Sequence, residues 1–327
     1  MRFGFLLSGG MRPEVPRTLL LEEELAKARA ARELGYASLW TGGGYLMRTW
    51  HHLTLLARLA AEAPGLELGT VVLLPLHPAP ELAEQASTLD VLCGGRLTLA
   101  VAQGWRDFQF RAYGVPRRER LGRFLETLEV LRLLWTQDRV TYHGRYLHLE
   151  DVPGAAPPAR RPHPRLLVAA NGDAGVQRAP HIADGWLVSS RATLPTIRHQ
   201  AALYHEACRQ AGAQPHIVAW RECFVARSRQ EALETVRPWA AALYADRAAL
   251  GHGRDLPEAD RIDRPFEELV EGRFIIGSPE ECVAQIEEYR ALGVEEVVLR
   301  MQWPGMPPEP VLRSLRRFGE EVLPRFP

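Results

Sequence analysis

Short apolar or β-branched runs alternate along this chain with longer segments whose apolar residues recur every three or four positions, the signature of repeated β-α units. The spacing predicts eight such units. Their strands fall at Arg2–Leu7, Ala37–Thr41, Leu68–Leu74, Arg96–Ala102, Arg165–Ala170, Gly185–Ser189, His216–Val225 and Glu296–Arg300, each followed by a helical segment. Near-continuous apolar strands such as Gly69-Thr70-Val71-Val72-Leu73-Leu74 suit a parallel sheet covered on both faces, and right-handed crossovers let eight of them close a ring. The pattern therefore predicts an α/β fold, a (β/α)8 TIM barrel with loop insertions, as one domain over residues 1–327. An open doubly wound sheet ranks second. It announces itself with a Gly-rich turn after its first strand, and Ser8-Gly9-Gly10-Met11-Arg12-Pro13 lacks the G-x-G-x-x-G spacing.

Local signals refine the picture. Thr18–Leu34 carries Leu21, Leu25, Ala28 and Ala31 along one face with a charged, solvated face opposite, and Gly35 can take a left-handed stop. Ser278-Pro279-Glu280-Glu281 reads as a capping box with Pro at the first helical position. Two irregular stretches, about 138–164, rich in Pro and Gly, and about 251–272, charged and weakly periodic, look like excursions from the barrel. Chemistry in such barrels sits at the carboxyl ends of the strands, so the second excursion would act as a lid only by folding back over that end.

Composition narrows the partners. Lys plus Arg and Asp plus Glu each number 40 and are scattered, which leaves no electrostatic footprint for nucleic acid or an anionic membrane. A small-molecule partner is expected instead. No apolar run reaches the roughly twenty residues of a membrane span, and Met1–Leu7 reads as a strand rather than a signal peptide, so a cytoplasmic location is expected. Cys93, Cys208, Cys223 and Cys282 form no Cys-x-x-Cys pair and are read as reduced thiols.

Candidate chemistry lies just past the predicted strands. After the fourth comes Gln103-Gly104-Trp105-Arg106, where Gly104 permits close backbone approach and Trp105 offers a flat surface to a planar ligand. The competing structural reading packs Trp105 against Phe108 and Phe110. After the fifth comes Asn171-Gly172-Asp173-Ala174-Gly175, small residues opening a helix whose first amides carry partial positive charge and suit a phosphate. Asp173 could instead cap those amides and repel an anion. Arg123 offers a forked counter-charge for a phosphate, or is a solvated surface residue.

The run Glu84-Gln85-Ala86-Ser87-Thr88-Leu89-Asp90-Val91-Leu92-Cys93-Gly94-Gly95-Arg96-Leu97-Thr98-Leu99 leads into Gly104-Trp105-Arg106, Tyr113-Gly114-Val115-Pro116 and Glu129-Val130-Leu131-Arg132-Leu133-Leu134-Trp135. Tyr142-His143-Gly144-Arg145-Tyr146, Ala183-Asp184-Gly185-Trp186 and Gly277-Ser278-Pro279-Glu280-Glu281 follow. In order and spacing these resemble the bacterial luciferase-like monooxygenase family over nearly the whole chain, with Cys93 standing where Ser is expected. The resemblance implies a barrel that binds FMN, or in a sister branch the 5-deazaflavin coenzyme, usually as a homodimer. By position it implies that Thr41, Val72, Gln103 and Trp105 line the cofactor, that Arg123 meets its phosphate, and that Asn171, Gly172 and Ala174 cradle that phosphate. It also implies a non-proline cis peptide near Val71-Val72.

One departure follows the second strand. Where the family often carries an acidic residue or His, this chain reads Trp40-Thr41-Gly42-Gly43-Gly44-Tyr45. The catalytic acid or base is therefore unassigned, with Tyr45, His51, His52 and His77 as candidates. His51 and His52, if both helical, would point about 100° apart, and no ligand spacing accompanies them, so no metal site is expected. Arg300, Gln302 and Trp303, after the eighth strand, are candidates to face substrate. The expected function is a monooxygenase that uses reduced FMN and O2 on a small organic substrate, with a separate flavin reductase as partner. A deazaflavin-dependent dehydrogenase or reductase is the near alternative, and a flavin-binding protein without turnover is the alternative of another class.

Overall fold

The computed structural model describes residues 1–7, 11–251 and 258–327. Ser8, Gly9 and Gly10 of the first turn and residues 252–257 of the second excursion lie outside the described residues. The strands are β1 Arg2–Leu7, β2 Ser38–Thr41, β3 Glu67–Leu73, β4 Leu97–Ala102, β5 Arg139–His143, β6 His148–Pro153, β7 Arg165–Ala170, β8 Gly185–Val188, β9 Ile217–Val225, β10 Phe274–Gly277 and β11 Val294–Arg300. Hydrogen bonding orders nine of them β10-β9-β11-β1-β2-β3-β4-β7-β8, and β8 pairs again with β9. That return makes the order of a (β/α)8 barrel, with β10 added alongside β9, and sets the open-sheet alternative aside. All eight expected strands are present. β10 is an addition, a short buried run of four residues that the spacing did not single out.

The chain gathers into two compact units, residues 1–42 with 168–327, and residues 43–167. In the first unit β1 runs parallel to β11 and to β2, with Phe5 level with Leu299 and with Leu39. The helix Arg17–Glu33 stops at Gly35, whose φ is +84°, as the sequence suggests. Its polar side is not all solvated, however. Glu24 and Lys27 are buried, Lys27 Nζ donating to Glu24 at 2.8 Å and also to Gln302. Ser278 caps Pro279–Ala291 in the expected box, with Glu281 returning the bond to the Ser278 amide at 2.8 Å.

In residues 43–167, β3 and β4 pair in unbroken parallel register from Leu68–Leu97 to Leu73–Ala102. The expected cis peptide near Val71-Val72 is absent, since both residues sit inside that regular ladder; the cis bond among the described residues is Arg161–Pro162. Asp90, fully buried at the end of the helix Ala79–Leu92, accepts from the amides of Leu97 at 3.2 Å and Arg160 at 2.7 Å. This explains the Asp-Val-Leu-Cys-Gly-Gly-Arg run as a clasp between the start of β4 and the end of the first excursion. That excursion is an antiparallel hairpin of β5 and β6. All four cysteines are buried with free thiols. Among the described residues, no helix is long and apolar enough to cross a membrane.

Candidate functional site

The loop after β2 folds tightly because its glycines let it. Gly43 and Gly44 have φ of +133° and +74°, and the left-handed run continues through Tyr45 at +51° and Leu46 at +64°. Such backbone in non-glycine residues is uncommon and persists only when its surroundings hold it. Here Thr49 Oγ1 accepts from the Gly44 amide at 2.8 Å, and Gln109 Nε2 donates to the Tyr45 carbonyl at 2.8 Å.

The turn drives the Tyr45 ring inward against Leu76 and Phe110. Its hydroxyl oxygen accepts from the amide of Leu73, the last residue of β3, at 2.9 Å and lies 2.7 Å from His77 Nε2 and 3.4 Å from His52 Nε2. His52 Nδ1 donates to the Gly43 carbonyl at 3.2 Å, so its other nitrogen carries a lone pair. The Tyr45 and His52 rings are stacked at 5.0 Å. Three of the four candidate acid-base residues thus converge. The fourth, His51, is exposed, and its ring stacks on that of His52 at 4.8 Å. The expected 100° divergence fails because His51 is the extended N-cap of the helix His52–Glu62 rather than part of it.

Burial sets the electrostatics of this cluster. It raises the Tyr45 hydroxyl above its ordinary range, against the Leu73 amide bond that lowers it. Burial, and after it the neighbouring His51 and His77, push His52 down to about 3. Burial and His51 push His77 down to about 4. Both imidazoles are therefore neutral at neutral pH. Among the described residues, no group of three His, Cys, Asp or Glu side chains could hold a metal ion.

Within the same unit, Val72 is fully buried in β3. Gln103 and Trp105 follow β4 and are half-buried, with the Arg106 guanidinium 4.3 Å from the Trp105 ring centroid. Gly104, φ +77°, faces Phe110, whose ring would stand 3.2 Å from a Cβ there. Arg123 already has partners, donating through Nε to Glu119 at 3.0 Å and lying 5.0 Å over the Tyr146 ring.

In the unit of residues 1–42 and 168–327, Thr41 is buried at the end of β2. Asn171, Gly172 and Ala174 are exposed at the start of the helix Asp173–Ile182, which has no side-chain cap. A Cβ on Gly172 would meet nothing within 4 Å. Asp173 does not close its own helix. Its carboxylate accepts from His199 Nε2 at 3.0 Å and Gln200 Nε2 at 3.1 Å, and the His199 bond holds it below the usual carboxylate range. The Gly175 amide already bonds the Gly172 carbonyl at 2.9 Å, but among the described residues no side chain caps the amides of Asp173 and Ala174, so the donors of this terminus suit an anionic group such as a phosphate.

Arg300, the last residue of β11, donates to Glu222 of β9 at 3.0 Å. Gln302 and Trp303 are buried: Gln302 Nε2 donates to the Met306 carbonyl at 3.0 Å, and Trp303 stacks on Phe274 at 6.1 Å. Sequence reasoning missed Glu222, Tyr244 and Arg247, which join Arg300, and His199 with Gln200. The signal for Glu222 was present, a charged Arg221-Glu222 pair inside an otherwise apolar strand. His199 and Gln200 carry no such mark, since they sit in a mixed helix among other polar residues such as Arg198, His205 and Glu206.

Comparison with known proteins matches the family described as luciferase-like monooxygenase to residues 1–296. A relative named F420-dependent glucose-6-phosphate dehydrogenase, from Amycolatopsis mediterranei, is 28% identical over 90% of this chain and 92% of its own length. An FMNH(2)-dependent dimethylsulfone monooxygenase from Pseudomonas putida is 26% identical over 77% of this chain and 72% of its own. Among solved structures, monooxygenase RslO1 from Streptomyces bottropensis covers 100% of both chains with TM-score 0.87 and 28% identity. The coenzyme F420 dependent tetrahydromethanopterin reductase of Methanopyrus kandleri, at TM-score 0.79 and 19% identity, covers 100% of this chain and 99% of its own and shares the fold.

Proposed function

The chain belongs to the luciferase-like monooxygenase family and is an oxidoreductase working with a flavin-type cofactor, and from that premise we propose that the cofactor is reduced FMN and the reaction a monooxygenation of a small organic substrate. Reduced flavin supplies the electrons that let O2 deliver one oxygen atom to substrate, so the demanding chemistry is the cofactor's. Asn171, Gly172 and Ala174 would hold the phosphate on the open helix terminus. A separate reductase would supply the reduced flavin, and a second copy of the chain would complete a homodimer.

The observation that carries the choice is the state of the groups after β2 and β3. Removing hydride from an alcohol calls for a base to take the hydroxyl proton, and a useful base has a pKa near the working pH. His52 and His77, at about 3 and about 4, are poor bases there, and Tyr45 stays a neutral hydroxyl. Oxygen transfer from the cofactor asks less of the protein: a fixed seat and the exclusion of water. The full-length likeness to monooxygenase RslO1 supports the same choice.

The dehydrogenase reading keeps one specific support, relatives of that name matched over about nine-tenths of both chains. Titrating the purified protein with FMN and with the deazaflavin coenzyme, followed by absorbance, separates the two. Preferential uptake of FMN, with O2 consumed only when reduced FMN and an organic substrate are both present, is the expected result. Uptake of the deazaflavin alone, with O2-independent hydride transfer, overturns it.

A further inference from the structure

Glu222 gathers more positive charge than it balances. Its Oε1 takes Arg300 Nη1 at 3.0 Å, the Tyr244 hydroxyl at 3.3 Å and Arg247 Nη1 at 3.9 Å. Its Oε2 is buried with no hydrogen-bond partner among the described residues, and the same is true of Arg300 Nε. Tyr244 adds no charge, since burial and then Glu222 hold its hydroxyl well above the ordinary range. Arg273, the next cation, is turned onto the carbonyls of Arg191, Leu269, Ala259 and Arg261. Two guanidiniums and one carboxylate therefore leave one positive charge in a sheltered place, together with an incomplete set of hydrogen bonds. Charge so placed is unfavourable unless a counter-ion completes it.

The open side of the cluster belongs to the arginines. Arg300 and Arg247 keep 13% and 15% exposure, whereas Glu222 keeps none. Arg300 ends β11, and the carboxyl ends of the strands are where barrels of this class place substrate. Guanidinium groups match a planar or three-oxygen acid group with paired donors.

We propose that Arg247 and Arg300 form a subsite for the anionic group of the substrate, a carboxylate or sulfonate, with Glu222 as the positioning residue that holds the two guanidiniums side by side. The inference rests on the oxidoreductase reading above and narrows its small organic substrate to an organic acid.

The test uses flavin-free protein titrated with benzoate and with methanesulfonate, benzamide serving as the uncharged control, followed by calorimetry and by the unfolding midpoint. Both anions are expected to bind and raise the midpoint, and benzamide to do neither. Arg247→Gln and Arg300→Gln should each weaken anion binding by about tenfold or more. Arg247→Lys, which keeps the charge, should retain most of it. Without anion, the Gln variants should melt at or above the wild-type temperature, because the remaining guanidinium and Glu222 then balance. Variants that bind as the wild type does, or that melt far below it while Arg247→Lys binds no better than Arg247→Gln, overturn the subsite. In protein saturated with FMN, benzoate that still binds supports a substrate subsite, and benzoate that FMN displaces assigns the arginines to the cofactor phosphate and overturns it. Failure to take up FMN with benzoate binding intact would remove the flavin reading and leave the subsite standing.

Discussion

His199 Nε2 lies 3.0 Å from the Asp173 carboxylate, and that bond turns the acid away from the helix it begins. The negative charge nevertheless stays in the first turn, close to where a phosphate would rest. Replacing Asp173 with Asn should therefore tighten FMN binding a few-fold, in line with about 0.3–1 kcal/mol for a charge near a helix end. Riboflavin, which lacks the phosphate, should bind the variant and the wild type alike. Fluorescence titration of both flavins checks this, and a variant that binds FMN more weakly would mean that Asp173 helps to build the site.

The buried histidines predict acid sensitivity. In the unfolded chain both titrate near 6.5, whereas in the fold His77 waits until about 4 and His52 until about 3. Between those values the unfolded state binds the extra protons, so stability is full above pH 6.5 and falls as the pH drops toward 4, by up to about 1.4 kcal/mol per pH unit for each histidine. Urea unfolding at a series of pH values should show that slope, and His77→Gln should reduce it above pH 4. An unchanged slope in the variant would show that His77 is not held neutral by the fold.

The barrel was legible in the sequence because strands buried on both faces read as apolar runs, and β1, β7 and β9 fall where their runs predict them, within a residue. The β5–β6 hairpin was not, because its residues are mostly exposed, the alternation of Val140 and Tyr142 in β5 spans only five residues, and β6 does not keep it. The catalytic candidates were named by their place after β2 and β3. Their convergence could not be read from spacings of 7 and 32 residues, since it depends on the left-handed turn that swings Tyr45 inward.

That turn gives its own prediction. A Cβ on Gly43 would stand 2.3 Å from Thr49 Oγ1 with φ at +133°. Gly43→Ala should lower stability by at least about 1 kcal/mol and disturb the near-ultraviolet signal of Tyr45. Leu46, exposed at φ +64°, should respond in the opposite sense, Leu46→Gly raising the midpoint by relieving left-handed strain of about 1 kcal/mol. Thermal unfolding of the two variants side by side decides the matter, and equal shifts in the same direction would contradict the turn.

Glu126 ties the hairpin to the helix Arg120–Thr136 through three backbone amides. Its Oε1 accepts from Arg145 at 2.9 Å, and its Oε2 from Tyr146 at 2.8 Å and Leu147 at 3.1 Å. A Cβ on Gly144 would lie 2.4 Å from the same carboxylate, which explains glycine at that turn. Hydrogen bonds to a charged acceptor contribute about 1.5–3 kcal/mol, so Glu126→Ala should open the turn locally. Amide exchange at Arg145, Tyr146 and Leu147 should accelerate by about tenfold or more, with the β3 and β4 amides unaffected, because the exposed hairpin can open without the core. Exchange that accelerates equally in β3 and β4 would show instead that hairpin and core unfold together.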